Sequence, residues 1–304
     1  MNTDELVEKY KNKIILVIGA SGYIGNSLLK KLQDLNIDVH GTCNHEQRKK
    51  LITCDITNYD LLKQVVDRVK PNIVFNLSGY INKEHTLDSF EKAIKINMIG
   101  LLNIIKVVNE LENFERLVTI GTIDELSISS KSTDKISPYA ISKYLSSSMG
   151  TYIVENFNLP ISIVRTGIVY GNKQNNNMFI PSLIDSLIKN KSFDMSAGEQ
   201  KRDFIYIEDF LRALLLIPIS KNTLGKTIDV GYGKSYKISE VAYYIANKLG
   251  KKDLLNIGAI PYRENEIMNY NITNDGHYGN FGWNSSVDIF KGIDETLLSI
   301  YDEK

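Results

Sequence analysis

The sequence predicts an α/β fold, a doubly wound parallel sheet with a smaller α/β part toward the C-terminal end. Three observations predict it. Lys13-Ile-Ile-Leu-Val-Ile18 is a continuous apolar run, as a strand buried on both faces requires. It leads directly into Gly19, Gly22 and Gly25 and then into a segment whose leucines recur at helical spacing. Strand-sized and helix-sized segments alternate from there to Arg165, the pattern of βαβ units.

The elements follow in order. Asn26 to Leu35 reads as a helix and Asp38 to Thr42 as the second strand. Leu61 to Val69 is helical, and Pro71 restarts the chain before the strand Ile73 to Leu77. Ser89 to Leu111 reads as one long helix with apolar residues on more than one face. Arg116 to Ile120 is a strand, Ser137 to Asn156 a helix and Ile161 to Arg165 a strand. Beyond this point the alternation loosens. Asn172 to Asn177 reads as a loop, Ile180 to Lys189 as a helix and Arg202 to Asp209 as a short strand entering the helix Phe210 to Leu216. Thr227 to Val230 and Ile238 to Leu249 supply one more strand and helix. The expected division is 1–168 for the sheet domain and 169–304 for the smaller part, with the chain re-entering the first domain.

Composition narrows the function classes. Lysine plus arginine and aspartate plus glutamate both number 36 in 304 residues, so the formal charge is zero. A protein reading nucleic acid through its phosphates carries a basic excess, which is absent here. Cys43 and Cys54 are too few for a disulfide framework and lack metal-site spacing, as do His40, His45, His85 and His277, so no metal is expected. The apolar runs are strand-sized, far from the ~20 residues of a membrane span, and Met1 to Asn12 has no apolar signal core. A cytoplasmic location, with no nucleic-acid or membrane partner, is the expectation.

Two motifs carry chemistry. In Gly19-Ala-Ser-Gly22-Tyr-Ile-Gly25 the first glycine permits a tight turn out of the strand. The second lets backbone approach a pyrophosphate, and the third lets the helix pack on the sheet. Amides at the helix N-terminus then hold the phosphates, as in a Rossmann dinucleotide site. Ser137-Pro-Tyr139-Ala-Ile-Ser-Lys143 places Tyr139 and Lys143 one turn apart on one helix face. Bringing a tyrosine from about 10 to near neutrality takes roughly 4 kcal/mol. One ammonium at about 5 Å in an effective dielectric of ~20 supplies about 3 kcal/mol. The pair is therefore a general acid/base candidate, with Lys143 expected to lower Tyr139.

Together the two motifs resemble the extended short-chain dehydrogenase/reductase family of nucleotide-sugar epimerases, dehydratases and 4-keto-6-deoxysugar reductases, over nearly the whole chain. The resemblance implies a triad completed by Thr122, in Thr119-Ile-Gly-Thr122-Ile-Asp-Glu125. It implies cofactor contacts from Gly19, Ser21, Gly22, Tyr23, Ile24, Gly25, Asn44, Arg48, Asp55, Ile56, Leu77, Ser78, Gly79, Asn97 and Lys143. Asp55 and Ile56 match the position that touches adenine, and Asn97 matches an asparagine that helps hold a proton-relay water. For the sugar nucleotide it implies Tyr80, Asp124 and Asn177. Arg202, in Gly198-Glu-Gln-Lys-Arg202-Asp-Phe-Ile-Tyr-Ile-Glu-Asp209, and Arg263 would meet the diphosphate, a task suited to bidentate guanidinium. Trp283 is expected to pack rather than bind. The family also implies a homodimer through Ser89–Leu111 and Ser137–Asn156, and a substrate cleft at the carboxyl ends of the strands, between the main lobe and residues beyond about 165.

The sequence departs from the family in three places. Leu126-Ser127 replaces a common Tyr-Gly, only sixteen residues separate Thr122 from Tyr139, and Gly79-Tyr80 replaces two small residues, so Tyr80 crowds or lines the sugar pocket. The end of the second strand, Val39-His-Gly-Thr-Cys-Asn44-His45, has no acid to accept a ribose hydroxyl and is followed by Arg48-Lys-Lys50. This favours NADP over NAD, although a basic run also suits a solvated helix face. The expected activity is NADP-dependent reduction of the 4-keto group of a nucleotide-activated 4-keto-6-deoxysugar, in sugar nucleotide synthesis for surface polysaccharide. The alternatives are a 4-epimerase or 4,6-dehydratase with tightly held NAD, for which Asp124 is the best supporting feature, and a non-catalytic dinucleotide-binding protein.

Overall fold

The computed structural model describes residues 2–44, 50–82, 84–129, 136–263, 266–269 and 281–302. Its helices are α1 Thr3–Tyr10, α2 Tyr23–Asp34, α3 Tyr59–Val69, α4 Leu87–Ala93, α5 Gly100–Val108, α6 Pro138–Phe157, α7 Phe179–Ile188, α8 Ile207–Leu216, α9 Ile238–Lys248 and α10 Ile289–Asp302. The strands begin with β1 Ile15–Ile18, β2 Val39–Cys43, β3 Ile52–Thr53, β4 Ile73–Asn76, β5 Arg116–Ile120 and β6 Ile161–Thr166. They continue with β7 Ile168–Tyr170, β8 Phe193–Met195, β9 Lys201–Tyr206, β10 Thr227–Val230, β11 Ser235–Lys237 and β12 Leu255–Ile257.

Two compact units emerge. The first holds the described residues up to Arg165, then Leu211–Asp229 and the segment ending at Trp283; the second holds Thr166–Phe210, the described part of Val230–Asp275, and the chain from Asn284. A seven-stranded sheet in the order β10-β6-β5-β4-β1-β2-β3 underlies the first unit, with β2–β3, β1–β2, β1–β4, β4–β5 and β5–β6 all parallel. The doubly wound sheet read from the sequence is therefore present. Every residue of β1 and β4 is buried, which explains why β1 reads as an unbroken apolar run and β4 as an apolar run closed by Asn76. Leu16, Ile18 and Val74 pack with Leu62 and Val66 of α3 and Leu101, Ile104 and Ile105 of α5 in one continuous core.

The returning stretch 211–229 is tied to the sheet by a buried guanidinium. Arg116 donates through Nη1 to Ser162 Oγ (2.9 Å) and Thr223 Oγ1 (3.3 Å), and through Nη2 to the Ser220 carbonyl (3.3 Å). Tyr10 of α1 adds a bond to the Leu215 carbonyl at 2.7 Å. Phe281 and Trp283 stack with ring centroids 6.1 Å apart, and Trp283 is buried, as a packing residue should be.

The long helix expected over Ser89–Leu111 is interrupted. α4 gives way at Ile94–Ile99 to a π-helical turn, in which the Gly100 amide reaches back five residues to the Lys95 carbonyl, before α5 begins. Such a turn inserts a residue into the helix and shifts the face that later side chains present. It brings Asn97 into the interior, where it is buried.

In the second unit β11-β9-β7 form one small sheet and β12-β8 another. Two buried carboxylates organise its turns. Asp209 accepts from the Ser286 amide (2.6 Å), the Ser286 hydroxyl (2.9 Å) and the Val287 amide (2.8 Å). Asp203 accepts from the amides of Tyr232 and Gly233, each at 2.7 Å. Burial nevertheless pushes the Asp203 carboxyl up to about 6, outweighing those two bonds. A raised native value means the folded state holds a proton that the unfolded chain has released, so this group's contribution falls as pH rises from about 4 through about 6. A shift of this size corresponds to roughly 2–3 kcal/mol. In urea unfolding, the stability of wild type relative to Asp203→Asn, whose side chain stays neutral, should fall by about that amount between pH 4 and 6.5.

Candidate active site

The order of strands reverses between β1 and β4, and ligands of such sheets sit at that switch, beyond the carboxyl ends. The chain leaving β1 makes a turn closed by Gly22 N to Gly19 O (3.0 Å). Gly19 has φ +81°, and a Cβ there would lie 2.7 Å from the Ser78 amide at the end of β4. A Cβ on Gly25 would lie 2.2 Å from the Gly19 carbonyl, so close packing of α2 excludes any side chain. α2 starts at Gly22 with no side-chain cap, and Ser21 and Gly22 are exposed while Tyr23 and Ile24 are half-buried. An uncapped helix N-terminus reached by bare backbone fits the diphosphate of a dinucleotide.

The other expected cofactor residues cluster at neighbouring strand ends. The Leu77 amide bonds to the Ile18 carbonyl at 2.9 Å, which joins the ends of β1 and β4, and Ser78 donates to Asn76 Oδ1. Asp55 uses Oδ1 to accept both the amide and hydroxyl of Thr57 at 2.8 Å. Ile56 is buried beneath Gly100, where a Cβ would lie 2.5 Å from its Cδ1. Asn44 is exposed at the end of β2; Arg48 lies outside the described residues.

The Tyr139–Lys143 turn opens α6. Ser137 caps the helix by accepting from the Ala140 amide (3.2 Å), and Pro138 occupies the first turn, where a missing N–H costs nothing. Tyr139, Lys143, Thr122 and Asp124 are all buried. Thr122 hydrogen-bonds the Tyr139 hydroxyl. The Asp124 amide donates to Thr122 Oγ1 at 3.3 Å, which sets the rotamer of that threonine.

The expected tuning of Tyr139 by Lys143 does not occur in this geometry. Lys143 Nζ donates to the Ile120 carbonyl at 2.8 Å, at the end of β5. The Tyr139 phenol stands well above its ordinary value because burial disfavours phenolate, with the charge of nearby Asp124 adding to the effect; the Thr122 bond opposes both. Burial also lowers Lys143, to about 8, against the attraction of Glu125. The spacing placed the two side chains on one face, but burial dominates the charge term that spacing suggested.

Glu125 has no role in the sequence-based reading, yet its carboxylate organises the turn. It is 3 % exposed and accepts from the Thr122 amide at 2.8 Å and from the Ser147 hydroxyl. Its three-residue spacing from Thr122 is the one signal that marks it. Behind it, Arg165 makes a bidentate pair with Asp229, at 2.6 and 2.9 Å. Asn97 accepts from the Tyr80 amide (2.8 Å) and donates to the Tyr80 carbonyl (3.1 Å), so its carboxamide clasps the main chain of that residue.

The remaining substrate candidates lie in the second unit. Arg202 is paired with Glu266 and also donates to the Lys201 carbonyl (2.8 Å), so an incoming diphosphate would compete with a carboxylate already in place. Arg263 is exposed. Asn177 is exposed in the loop before α7, its amide bonded to Asn175 Oδ1 at 3.0 Å.

Residues 15–231 match the family model described as the NAD dependent epimerase/dehydratase family. The chain belongs to that family. It is 28 % identical to the CDP-abequose synthase of Salmonella typhimurium over 301 residues, 95 % of this chain and 98 % of that protein. Among solved structures, an epimerase from Methanothermobacter thermautotrophicus superposes with a TM-score of 0.85 at 20 % identity, over 99 % of this chain and 96 % of the other. The UDP-glucose 4-epimerase of Thermus thermophilus, solved in complex with NAD, gives a TM-score of 0.79 at 19 % identity, over 93 % and 98 %. Among the described residues no helix is long and apolar enough to cross a membrane.

The glycine turn supplies the site's most direct steric test. Gly25→Ala should leave the far-ultraviolet circular dichroism unchanged while raising the dinucleotide dissociation constant at least tenfold by fluorescence titration.

Proposed function

We propose that this protein reduces the 4-keto group of a nucleotide-activated 4-keto-6-deoxysugar, with NADPH as the reductant. The observation that carries the reading is the Thr122–Tyr139 pair. A buried phenol, held by the Thr122 hydroxyl one helical turn from Lys143, can supply the proton that a carbonyl oxygen takes up on reduction.

The chain's residues then divide the work. The dinucleotide, when bound, supplies the hydride that reaches the carbonyl carbon. Tyr139 Oη delivers its proton to the carbonyl oxygen as charge develops there, and Thr122 holds the phenol by its hydroxyl. Lys143 keeps a proton that burial makes easy to release, close to the Gly79 backbone, where a Cβ would lie 3.4 Å from Nζ.

Two further features favour reduction. Dehydration across C5 and C6 needs a base and an acid in addition to the tyrosine. Asp124 is one carboxylate near Tyr139, but Glu125 is turned inward onto Thr122 and Ser147. The end of β2 carries Cys43 and Asn44 in place of an acid, which supports NADPH. The name of the Salmonella relative makes a cytidine diphosphate carrier the first to test. We also assign a homodimer to the α4–α5 and α6 faces, where Leu87 (87 % exposed), Tyr152 and Phe157 leave large apolar side chains in solvent.

Steady-state kinetics with a CDP-linked 4-keto-6-deoxysugar test the reaction. NADPH should be oxidised faster than NADH, and Tyr139→Phe should lose 10²- to 10⁴-fold in turnover while binding the dinucleotide normally. Tightly bound NAD in the purified protein, with no net oxidation of NADPH, would favour the 4-epimerase instead. Light scattering at micromolar concentration should return twice the chain mass, and Leu87→Glu combined with Tyr152→Glu should return the monomer.

A further inference from the structure

Ser142 lies between Tyr139 and Lys143 on α6 and is 0 % exposed. Its Oγ donates to the Tyr139 carbonyl (2.7 Å) and accepts from Asn97 Nδ2 (2.8 Å). The second Nδ2 hydrogen of Asn97 goes to the Tyr80 carbonyl, and its Oδ1 takes the Tyr80 amide. One turn further along α6, Ser146 Oγ lies within hydrogen-bond distance of both the Asn97 carbonyl (2.9 Å) and the Ser142 carbonyl (2.6 Å). A continuous chain therefore runs from the Gly79–Tyr80 backbone through Asn97 and Ser142 to the turn that carries the acid/base pair. The Tyr80 hydroxyl is held as well, accepting from Asn82 Nδ2 at 3.1 Å.

We propose that Ser142 is a positioning residue, which through Asn97 fixes the Gly79–Tyr80 main chain against the helix turn bearing Tyr139 and Lys143. The proposal rests on the reading of those two side chains as the reacting pair. Both amide hydrogens of Asn97 are used, one on each side of the site. The Ser142 hydroxyl is the acceptor for one of them. Removing it leaves a buried N–H unpaired, and such a group reorients to find a partner if it can. Reorientation of the carboxamide would release both Tyr80 bonds at once, because the same planar group makes them. Ser142 thus acts on a segment it does not touch, and the π turn is what brings Asn97 between the two.

A serine that merely fills space would affect stability alone. The test is hydrogen–deuterium exchange of the Tyr80 amide beside steady-state kinetics, in wild type, Ser142→Ala, Asn97→Ala and the double variant. The linkage predicts that Ser142→Ala speeds Tyr80 exchange at least tenfold more than the accompanying fall in global stability accounts for. It also predicts a 5- to 20-fold lower kcat with the sugar-nucleotide KM within twofold. The double variant should be no worse than the worse single one. Ser142→Cys, which fills the same space with a weaker partner, should fall between wild type and Ser142→Ala, and it serves as the test if the alanine variant does not fold. Tyr80 exchange at the wild-type rate in Ser142→Ala, or additive losses in the double variant, would overturn the proposal. The exchange measurement needs no substrate, so it decides the linkage even if the wild type reduces no sugar nucleotide, an outcome that would count against the proposed reaction alone.

Discussion

β1 has no polar face, and the main unit is arranged around that fact. All four of its residues are buried, so helices must cover the sheet on both sides, and only the carboxyl end of the strand remains available to a ligand. The reversal of strand order beside it opens a crevice at that end. The glycine turn after β1, the Leu77–Gly79 segment after β4 and the Thr122 turn after β5 all begin there. Polar chemistry gathers at this edge because the apolar strands leave it nowhere else to go.

Burying an acid/base pair at such an edge raises an electrostatic problem, and the surroundings offset it. Tyr139 is pushed toward its neutral form and Lys143 toward easier proton release, both chiefly by desolvation. Glu125 partly restores the Lys143 charge and is itself raised by burial. Arg165 with Asp229 completes an alternating set of charges behind the β5 turn. A phenol raised in this way is a weaker acid, so its proton leaves only as a developing alkoxide, a much stronger base than a carbonyl oxygen, takes it up.

Much of this was legible in the sequence, for identifiable reasons. The run Lys13–Ile18 with Gly19, Gly22 and Gly25 announces strand, turn and helix because each residue type meets a separate steric demand. The four-residue spacing of Tyr139 and Lys143 places them on one face because α6 is regular through that stretch. The π turn at Ile94–Ile99 was not legible, since a single inserted residue hardly disturbs an apolar pattern already present on several faces. Neither was the direction of the Lys143 ammonium, which depends on the Ile120 carbonyl across 23 residues of chain. Arg202 was read as a phosphate ligand from its motif, while its pairing with Glu266 depends on how a distant segment folds back within the second unit. Local sterics survive in a sequence, whereas the partner of a long charged side chain does not.

The central claim is the direction of hydride transfer, and an isotope label tests it most directly. NADPH carrying deuterium on both positions of nicotinamide C4 would be incubated with a CDP-linked 4-keto-6-deoxysugar and the wild-type protein, and the product examined by mass spectrometry and proton NMR. The account predicts one deuterium at sugar C4 and one equivalent of NADP⁺ for each sugar consumed. A product without deuterium at C4, formed with no net loss of NADPH, would contradict it.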